Sequence, residues 1–326
     1  MQEDLFVGTA GTSVWFGRDR GETWTRPYSE SGLYIEARVW ALSIHPDMPG
    51  VVFAGTDHGV FRGDPQRQKW QHLPSPLDTL SIWSLVQAPD NPKVMLAGTQ
   101  PAGIWRSEDA GETWTQLPAP FAAECIYVHR PRVTIITYDP RDPSRVYVGV
   151  EIDGVWRSMD GGRTFTKAPS QGLISEDIHG LAVVYGPGGR VLFATTNKGL
   201  CVSTDDGESW TTQVLDSPWQ YTRTIVARGK GDGRIFLTNG DGPPGSTGRL
   251  LLSDDHGATW RDANLPGPLN STPWCLAMNP ADPSLIYCCS NLGQIFRSED
   301  GGDHWVKLKR ELGEVRCAAW QPRRNA

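Results

Sequence analysis

The sequence predicts an all-β fold, a seven-bladed β-propeller with four-stranded antiparallel blades, and three observations support this. An eight-residue pattern, Ser-x-Asp-x-Gly-x-Thr-Trp, recurs along the 326 residues in seven copies, of which five are close to this consensus and the one that ends at Trp70 is decayed. The copies lie roughly 45 residues apart, which is the length of one four-stranded propeller blade. Between the copies stand short runs of strand-forming residues, bounded by turns rich in Gly, Pro and Asp, without helical periodicity.

The second repeat illustrates how the four strands of a blade, A to D, follow from the residues. Residues 40–44 predict strand A, which ends in a turn at residues 45–47. Residues 51–55 predict strand B, 60–62 strand C and 70–73 strand D. Each run is short and closed by turn residues, as in the strands of an up-and-down antiparallel sheet.

The repeated eight-residue box is interpreted as a structural turn between strands C and D. Its Asp can accept hydrogen bonds from backbone N–H groups, its Gly can adopt positive φ, and its Trp can bury a ring between blades. A side chain that bonds its own turn in every repeat needs no ligand. The box Asp residues are therefore not candidates for catalysis.

The two ends of the chain predict how the ring closes. Residues 314–322 have the pattern of a strand A with no strand B after it, whereas residues 5–9 have that of a strand B with no strand A before it. The last strand is therefore expected to complete the first blade, which leaves no open edge. Residues 1–326 are predicted to form a single domain.

Composition and charge exclude several function classes. The formal net charge of −6 argues against a nucleic-acid partner, because binding to phosphates requires a positive field. The sequence contains no apolar run long enough to span a membrane and no secretory pattern at residues 1–6, so no membrane partner is expected. The six cysteines match neither a zinc motif nor a disulfide framework. We expect a cytoplasmic protein with no cofactor.

The boxes resemble the Asp-box, or BNR, repeats of sialidases and related propellers, and the resemblance extends over the whole chain. Six-bladed members of this superfamily are sialidases. Its seven-bladed members include xyloglucan-cleaving glycosidases, sortilin-type peptide receptors and photosystem II assembly factors of the Ycf48 type. The resemblance implies the fold, and seven repeats favour the second group. Because the box carries no catalytic residue in any of these proteins, the function has to be inferred from the site.

An arginine-rich site is predicted at one mouth of the central channel, where the D-to-A and B-to-C loops of a propeller meet. Counting back from the turn that ends each strand A places two sets of residues there. The first set is Arg38, Ser81, Arg132, His179, Tyr221, Thr272 and Glu314. The second set, two residues later, is Trp40, Trp83, Thr134, Leu181, Arg223, Trp274 and Arg316. Because side chains alternate along a strand, both sets are expected on the same side.

The predicted ligand-binding residues are four arginines, three tryptophans and one histidine: Arg38, Arg132, Arg223, Arg316, Trp40, Trp83, Trp274 and His58. Guanidinium groups bind carboxylates through paired hydrogen bonds, and indole rings offer flat faces to a sugar. The alternative is structural. The arginines can pair with neighbouring carboxylates in a network that fills the channel, and the tryptophans can pack between blades.

Candidate acid–base residues are Glu151, His179, Asp57, Asp177 and Tyr221. Glu151 stands first because it occupies an inner B-to-C turn, and His179 titrates near neutral pH. Hydrolysis of a glycosidic bond commonly uses two carboxyl groups, and sialidases pair an acidic group with a tyrosine. Polar lining of the channel without a catalytic role is the alternative for each of them.

No metal is predicted, since close His spacing is missing; if one is bound, His58, His129 and His179 are the candidate ligands. The leading hypothesis is a hydrolase or lyase, glycosidase-like, acting on a carboxylated small molecule or sugar acid at the arginine-rich mouth. The alternative is a non-catalytic propeller that binds an acidic peptide or a protein C-terminus. A deep funnel with paired acid–base groups would favour the enzyme, and a flat arginine patch the binding protein. No oligomeric state is predicted.

Overall fold

Seven four-stranded antiparallel sheets form a closed ring, as the sequence predicted. The computed structural model describes residues 2–26, 28–124, 129–229 and 231–323. The innermost strand A of every blade contacts strand A of the next blade, from the first to the seventh and back to the first. The seven A strands therefore surround a central channel.

Each of blades 1 to 7 contains four strands, A to D, ordered from the channel outward. In blade order, the A strands are Val315–Pro322, Val39–Ser43, Ser81–Ala88, Val133–Tyr138, Ile178–Gly186, Tyr221–Ala227 and Pro273–Met278. The B strands are Glu3–Thr9, Val52–Thr56, Asn91–Gln100, Val146–Val150, Gly189–Thr196, Ile235–Gly240 and Ile286–Ser290. The C strands are Val14–Arg18, Val60–Asp64, Ile104–Ser107, Gly154–Ser158, Leu200–Ser203, Gly248–Ser253 and Ile295–Ser298. The D strands are Thr23–Thr25, Lys69–Leu73, Thr115–Leu117, Thr166–Lys167, Thr211–Gln213, Arg261–Asp262 and Val306–Lys307.

Three short 3₁₀ helices, Asp19–Gly21, Ser29–Ser31 and Pro76–Thr79, lie between strands. In the described parts of the chain, none of the helices has the length and apolar character needed to cross a bilayer.

Blade 1 joins the two ends of the chain. Strand Val315–Pro322 pairs antiparallel with strand Glu3–Thr9, with Trp320 opposite Leu5. The Trp320 side chain is 1% exposed and packs in the core between blades 7 and 1. The C-terminal strand thus closes the ring without a covalent link, and the predicted closure is confirmed.

The box forms the predicted self-bonded turn. In blade 3 the Ser107 hydroxyl donates to Asp109 and accepts the backbone N–H of Gly111. Asp109 accepts both the backbone N–H and the hydroxyl of Thr113. The Trp114 indole N–H donates to the carbonyl of Gly111 at 3.0 Å. Ser107, Asp109, Thr113 and Trp114 thus form hydrogen bonds within the turn itself.

Each A strand carries a β-bulge near the mouth of the channel. In blade 4, for example, Val133 pairs with Val150 and Ile135 pairs with Gly149, so Thr134 is the additional residue. The bulge residues of blades 1 to 7 are Arg316, Trp40, Trp83, Thr134, His179, Arg223 and Trp274. A bulge interrupts the regular alternation of side chains and re-aims the additional residue. We call these seven residues the bulge ring.

Candidate functional site

Two connected cavities occupy the channel at its predicted mouth. The outer cavity has a volume of about 800 Å³ and is walled by B-to-C and D-to-A turns of blades 4 to 7 and 1. The inner chamber of about 270 Å³ is bordered by all seven members of the bulge ring. The long loop of blade 6 contributes residues 241–244 to the outer wall. The outer volume falls within the ~300–1,000 Å³ typical of ligand pockets.

The structure corrects the positions predicted for blade 5. Counting back from the turn predicts His179 in the first set and Leu181 in the second. In the structure the bulge residue of this blade is His179, and Asp177 occupies the first position. Leu181 is 4% exposed and packs between blades. The miscount arises because strand Ile178–Gly186 extends to a tight hairpin, so its proline comes two residues later than in the other blades.

Three arginines line the outer cavity, and each lies over an indole ring. The Cζ atom of Arg132 lies 4.0 Å from the ring centroid of Trp83. Trp83 in turn stacks on Trp40, with ring centroids 4.2 Å apart and planes inclined by 15°. One face of Trp83 is therefore taken by a guanidinium and the other by an indole, which leaves neither face open to a sugar.

The series of contacts continues around the channel. Arg316 lies 5.2 Å from the ring centroid of Trp40 and 5.4 Å from that of Trp274, and Arg223 lies 4.2 Å from Trp274. A guanidinium stacked on an indole keeps its N–H donors in a plane parallel to the ring, where they remain available to a carboxylate. The tryptophans thus orient the arginines.

The three arginines lie within one another's electrostatic field. Burial, followed by the charges of Arg223 and Arg132, lowers the pKa of Arg316 to about 10. Burial also lowers the pKa of Arg132, which the charge of Glu151 partly offsets. Arg316 pairs with Glu314, whereas Arg223 forms no ion pair within the described ranges. Clustered, partly desolvated cations of this kind favour an added anion.

Arg38, Asp57 and His58 lie outside both cavities, on the rim of blade 2. The Arg38 side chain is exposed, although it was predicted to converge with the other arginines. Asp57 accepts a hydrogen bond from the Tyr34 hydroxyl, which also lies 2.9 Å from Nδ1 of His58. The rim cluster is separate because the D-to-A loop of blade 1 brings Tyr34 onto this turn.

Glu151 and Arg132 form one side of the outer cavity. Nη2 of Arg132 donates to Oε1 of Glu151 at 2.5 Å. Burial raises the pKa of Glu151, and the charge of Arg132 opposes the rise without cancelling it. The second carboxylate oxygen, Oε2, is buried and has no hydrogen-bond partner among the described residues. Glu151 is therefore suited to hold a proton at higher pH than an exposed glutamate does.

Asp177 and His179 form a pair beside it. Nδ1 of His179 donates to the carbonyl of Thr222 at 2.8 Å, and Nε2 lies 3.3 Å from Oδ2 of Asp177. A neutral imidazole has one N–H for these two acceptors, whereas an imidazolium has one for each. Burial alone would raise the pKa of Asp177, but its contact with His179 keeps it below the ordinary value. Burial lowers the pKa of His179 and the contact with Asp177 opposes this, so the low pKa of Asp177 requires the imidazolium form of His179.

Two further polar side chains line the same cavity without partners in the described chain. The Tyr221 hydroxyl is buried, and burial raises its pKa, so the phenol stays protonated at neutral pH. Asn291, in the B-to-C turn of blade 7, is 1% exposed and leaves both amide atoms unpaired. The sequence indicates its place at the first position of a B-to-C turn, but nothing in the sequence marks it as unpaired.

Within residues 2–26, 28–124, 129–229 and 231–323, no three or more His, Cys, Asp or Glu side chains are grouped to hold a metal. The three histidines considered as ligands are separated. His58 is on the blade 2 rim, His179 belongs to the bulge ring, and His129 is exposed in the D-to-A loop of blade 3. Residues 125–128 of that loop lie outside the described residues, as does Cys125.

No family model matches the chain. Among curated proteins it is similar to the xyloglucanase Xgh74A of Acetivibrio thermocellus, with 27% identity over 323 residues that cover 80% of this chain and 38% of that protein. It is also similar to sortilin of Rattus norvegicus, with 26% identity over 236 residues that cover 68% of this chain and 26% of that protein. The chain thus spans less than two fifths of the length of these relatives.

Solved structures share the fold. The GH74 enzyme of Niastella koreensis has a TM-score of 0.65 and 20% identity, with 82% of this chain and 45% of that one covered. YCF48 from Cyanidioschyzon merolae has a TM-score of 0.58 and 13% identity, with 89% and 88% covered. The fold and these likenesses confirm the predicted resemblance to the propeller superfamily of xyloglucanases, sortilin and Ycf48-like proteins. The glycosidases among the sequence relatives support a glycosidase-like propeller.

Proposed function

We propose that the protein is a glycosidase-like hydrolase that binds a carboxylated sugar or related small molecule in the outer cavity and cleaves it there. The observation that carries the proposal is the pairing of two carboxyl groups with opposite pKa shifts in one cavity. The pKa of Glu151 is raised and that of Asp177 is lowered. Environments that push two such pKa values apart assign one group as acid and the other as base.

In this proposal Glu151 donates a proton to the leaving-group oxygen. Ionised Asp177 either takes a proton from the attacking water or itself attacks the anomeric carbon, in which case water later hydrolyses the glycosyl–enzyme bond. Glycosidic bonds are commonly cleaved by two carboxyl groups in these roles. His179 positions Asp177 through its contact with Oδ2, which leaves Oδ1 for the substrate. Protonated Tyr221 is a hydrogen-bond donor to the substrate. An eliminating lyase would use the same arginines.

The carboxylate of the substrate pairs with the stacked arginines. Arg223 is the first choice because its guanidinium forms no ion pair with the described residues, and Arg316 exchanges Glu314 for the ligand. A guanidinium that is already oriented by stacking loses little freedom on binding. The relatives named xyloglucanases extend well beyond the length of this chain, so their substrate is not transferred to it.

Hydrolysis of paired chromogenic substrates tests the proposal. Both anomers of 4-nitrophenyl glucuronide should be offered, with the matching glucosides as neutral controls and xyloglucan as a third substrate. We expect cleavage of one uronide anomer, and a fall in kcat of at least about 100-fold in Glu151→Gln and in Asp177→Asn. Asp90→Asn, an exposed carboxylate near the opposite rim, is the matched control. Cleavage of xyloglucan but not of the uronides would contradict the carboxylated substrate.

A second function, binding of an acidic peptide or a C-terminal carboxylate without turnover, is favoured by Arg223, whose guanidinium forms no ion pair with the described residues. The likeness in sequence to sortilin and in fold to YCF48 supports this alternative. It predicts that a fluorescent acidic peptide binds with a free C-terminus and about tenfold more weakly when the C-terminus is amidated. Arg223→Gln should remove the difference. Peptide binding with no uronide cleavage would select this function over hydrolysis.

A further inference from the structure

Asn291 differs from two other buried amide side chains of blades 6 and 7 in its hydrogen bonding. Its side chain is 1% exposed and borders the outer cavity, yet neither Nδ2 nor Oδ1 has a partner among the described residues. By contrast, Asn239 donates to the carbonyls of Trp219 and Tyr221 at 3.0 and 2.8 Å. Gln294 donates to the carbonyl of Pro268 at 3.1 Å and accepts from the N–H of Asn270 at 3.0 Å.

The backbone fixes Asn291 on both sides. Its N–H donates to the carbonyl of Thr272 at 3.0 Å, and its carbonyl accepts the N–H of Val315 at 2.8 Å. Val315 lies between Glu314 and Arg316, and both Asn291 and Arg316 border the outer cavity. A buried polar group without a partner is costly, and such groups in native proteins call for an explanation.

We propose that Asn291 is a specificity-determining residue that recognises hydroxyl groups beside the ligand's carboxylate, so that the ligand is a sugar acid and not a simple carboxylate. The proposal rests on the anion site of the proposed function. A primary amide offers one acceptor and two donors in a plane, and a hydroxyl both donates and accepts. Neighbouring hydroxyls on a sugar ring therefore satisfy both amide atoms, whereas an apolar ring leaves them unpaired. A site built to bond a hydroxyl rejects an analogue that lacks it.

Calorimetric titration with two probes tests this role. D-Glucuronate and cyclohexanecarboxylate share a six-membered ring and one carboxylate, but only glucuronate has hydroxyls. The wild-type protein should bind glucuronate about tenfold more tightly, the effect of two hydrogen bonds of ordinary strength. In Asn291→Leu the preference should fall to within about twofold, with cyclohexanecarboxylate bound within about threefold of wild type. Asn91→Leu, an exposed amide near the opposite rim, should keep the preference.

Each outcome separates this inference from the proposed function. Equal binding of both probes by the wild type, or a preference retained in Asn291→Leu, overturns the role of Asn291 while uronide cleavage can still stand. Binding of neither probe overturns the role of Asn291 and, if uronide cleavage is absent as well, the proposed function too. Thermal unfolding checks that Asn291→Leu is folded. If it is not, Asn291→Asp keeps the size of the side chain and removes its N–H donors. That variant should bind both probes more weakly, because it adds a negative charge to the anion site. Unchanged binding would contradict the proposal.

Discussion

In the proposed function, the chemistry of the outer cavity depends on a few side chains whose protonation is set by burial and by neighbouring charges. Burial raises the pKa of Glu151 against the opposing charge of Arg132. The contact with His179 keeps the pKa of Asp177 low against the effect of burial. In the proposed mechanism, environment thus distinguishes the acid from the base, since the two residue types titrate at similar pH in water.

A pH profile of uronide cleavage should reflect both carboxyl groups. The rate requires protonated Glu151 and ionised Asp177, so it should fall as pH rises through the raised pKa of Glu151 and as pH falls through the lowered pKa of Asp177. In Arg132→Gln the charge that lowers the pKa of Glu151 is gone, so the alkaline limb of kcat should move to higher pH. Arg163→Gln, an exposed control, should leave it in place. An alkaline limb that moves to lower pH in Arg132→Gln would contradict the assignment of Glu151 as the acid.

The sequence analysis named many of the residues that line the outer cavity, but it did not show how they contact each other. Arg132, Arg223 and Arg316 were found by counting back from the turn that ends each strand A. Arg38 was included by the same count, although its side chain is exposed on the rim. The count assumed regular alternation in strand A, and a bulge at the mouth end breaks that alternation. Pairing partners that lie far apart in sequence determine where a bulge forms, so no local pattern indicates it.

Some loops between blades require a glycine because the main chain of a neighbouring turn lies too close to admit a side chain. Gly172, in the D-to-A loop of blade 4, has φ +82°, and a Cβ placed there would lie 2.0 Å from the carbonyl oxygen of Trp210. The Trp210 N–H donates to the carbonyl of Gln171 at 2.9 Å. The loop that leads to Asp177 is thereby fixed to the box of blade 5.

Gly172→Ala should lower the free energy of unfolding by roughly 2–4 kcal/mol, because the clash involves backbone and the left-handed conformation disfavours a side chain. Gly188→Ala is the control, since a Cβ there meets no heavy atom within 4 Å. Urea unfolding followed by tryptophan fluorescence measures both. Equal free energies of unfolding of the two variants would show that this loop accommodates the added methyl group without loss of stability.

The boxes should make the fold sensitive to acid. Hydrogen bonds from the hydroxyl and N–H of Ser209 lower the pKa of Asp205 to about 2. A carboxyl group whose pKa is depressed on folding stabilises the fold above its unfolded pKa and loses this contribution as pH falls through the folded value. Thermal unfolding temperatures should therefore decrease between about pH 4 and pH 2. In Asp205→Asn the decrease should be smaller, because one titrating group is gone; an unchanged slope would argue against the box as its source.

Strand assignments followed well from the sequence because box, turn residues and period all agreed. Ser107 to Trp114 shows each predicted role of the box in one turn. Asn291 shows the limit. Its position at a B-to-C turn was evident, yet the absence of hydrogen-bond partners in the described chain depends on what neighbouring blades place around it. Burial and partner satisfaction are properties of the assembled ring.

The whole molecule depends on its last strand. Deleting residues 314–326 removes the innermost strand of blade 1 and leaves Glu3–Thr9 as an open edge. We expect the thermal unfolding temperature to fall by roughly 10 °C or more, because buried Trp320 and the strand pairing are both lost. A synthetic peptide of residues 314–323 added to the truncated protein should recover part of the loss. A truncated protein that unfolds at the wild-type temperature would contradict closure by this strand.

The bulge ring also has a consequence for how such a protein changes over time. Seven backbone positions of the same geometry hold residues as different as tryptophan, threonine, histidine and arginine. Main-chain pairing on either side keeps each position in place whatever its side chain, so one blade can exchange its residue while the other six keep theirs. Single substitutions can therefore change the ligand preference while the backbone stays the same. Propellers of very similar fold can thus bind quite different ligands.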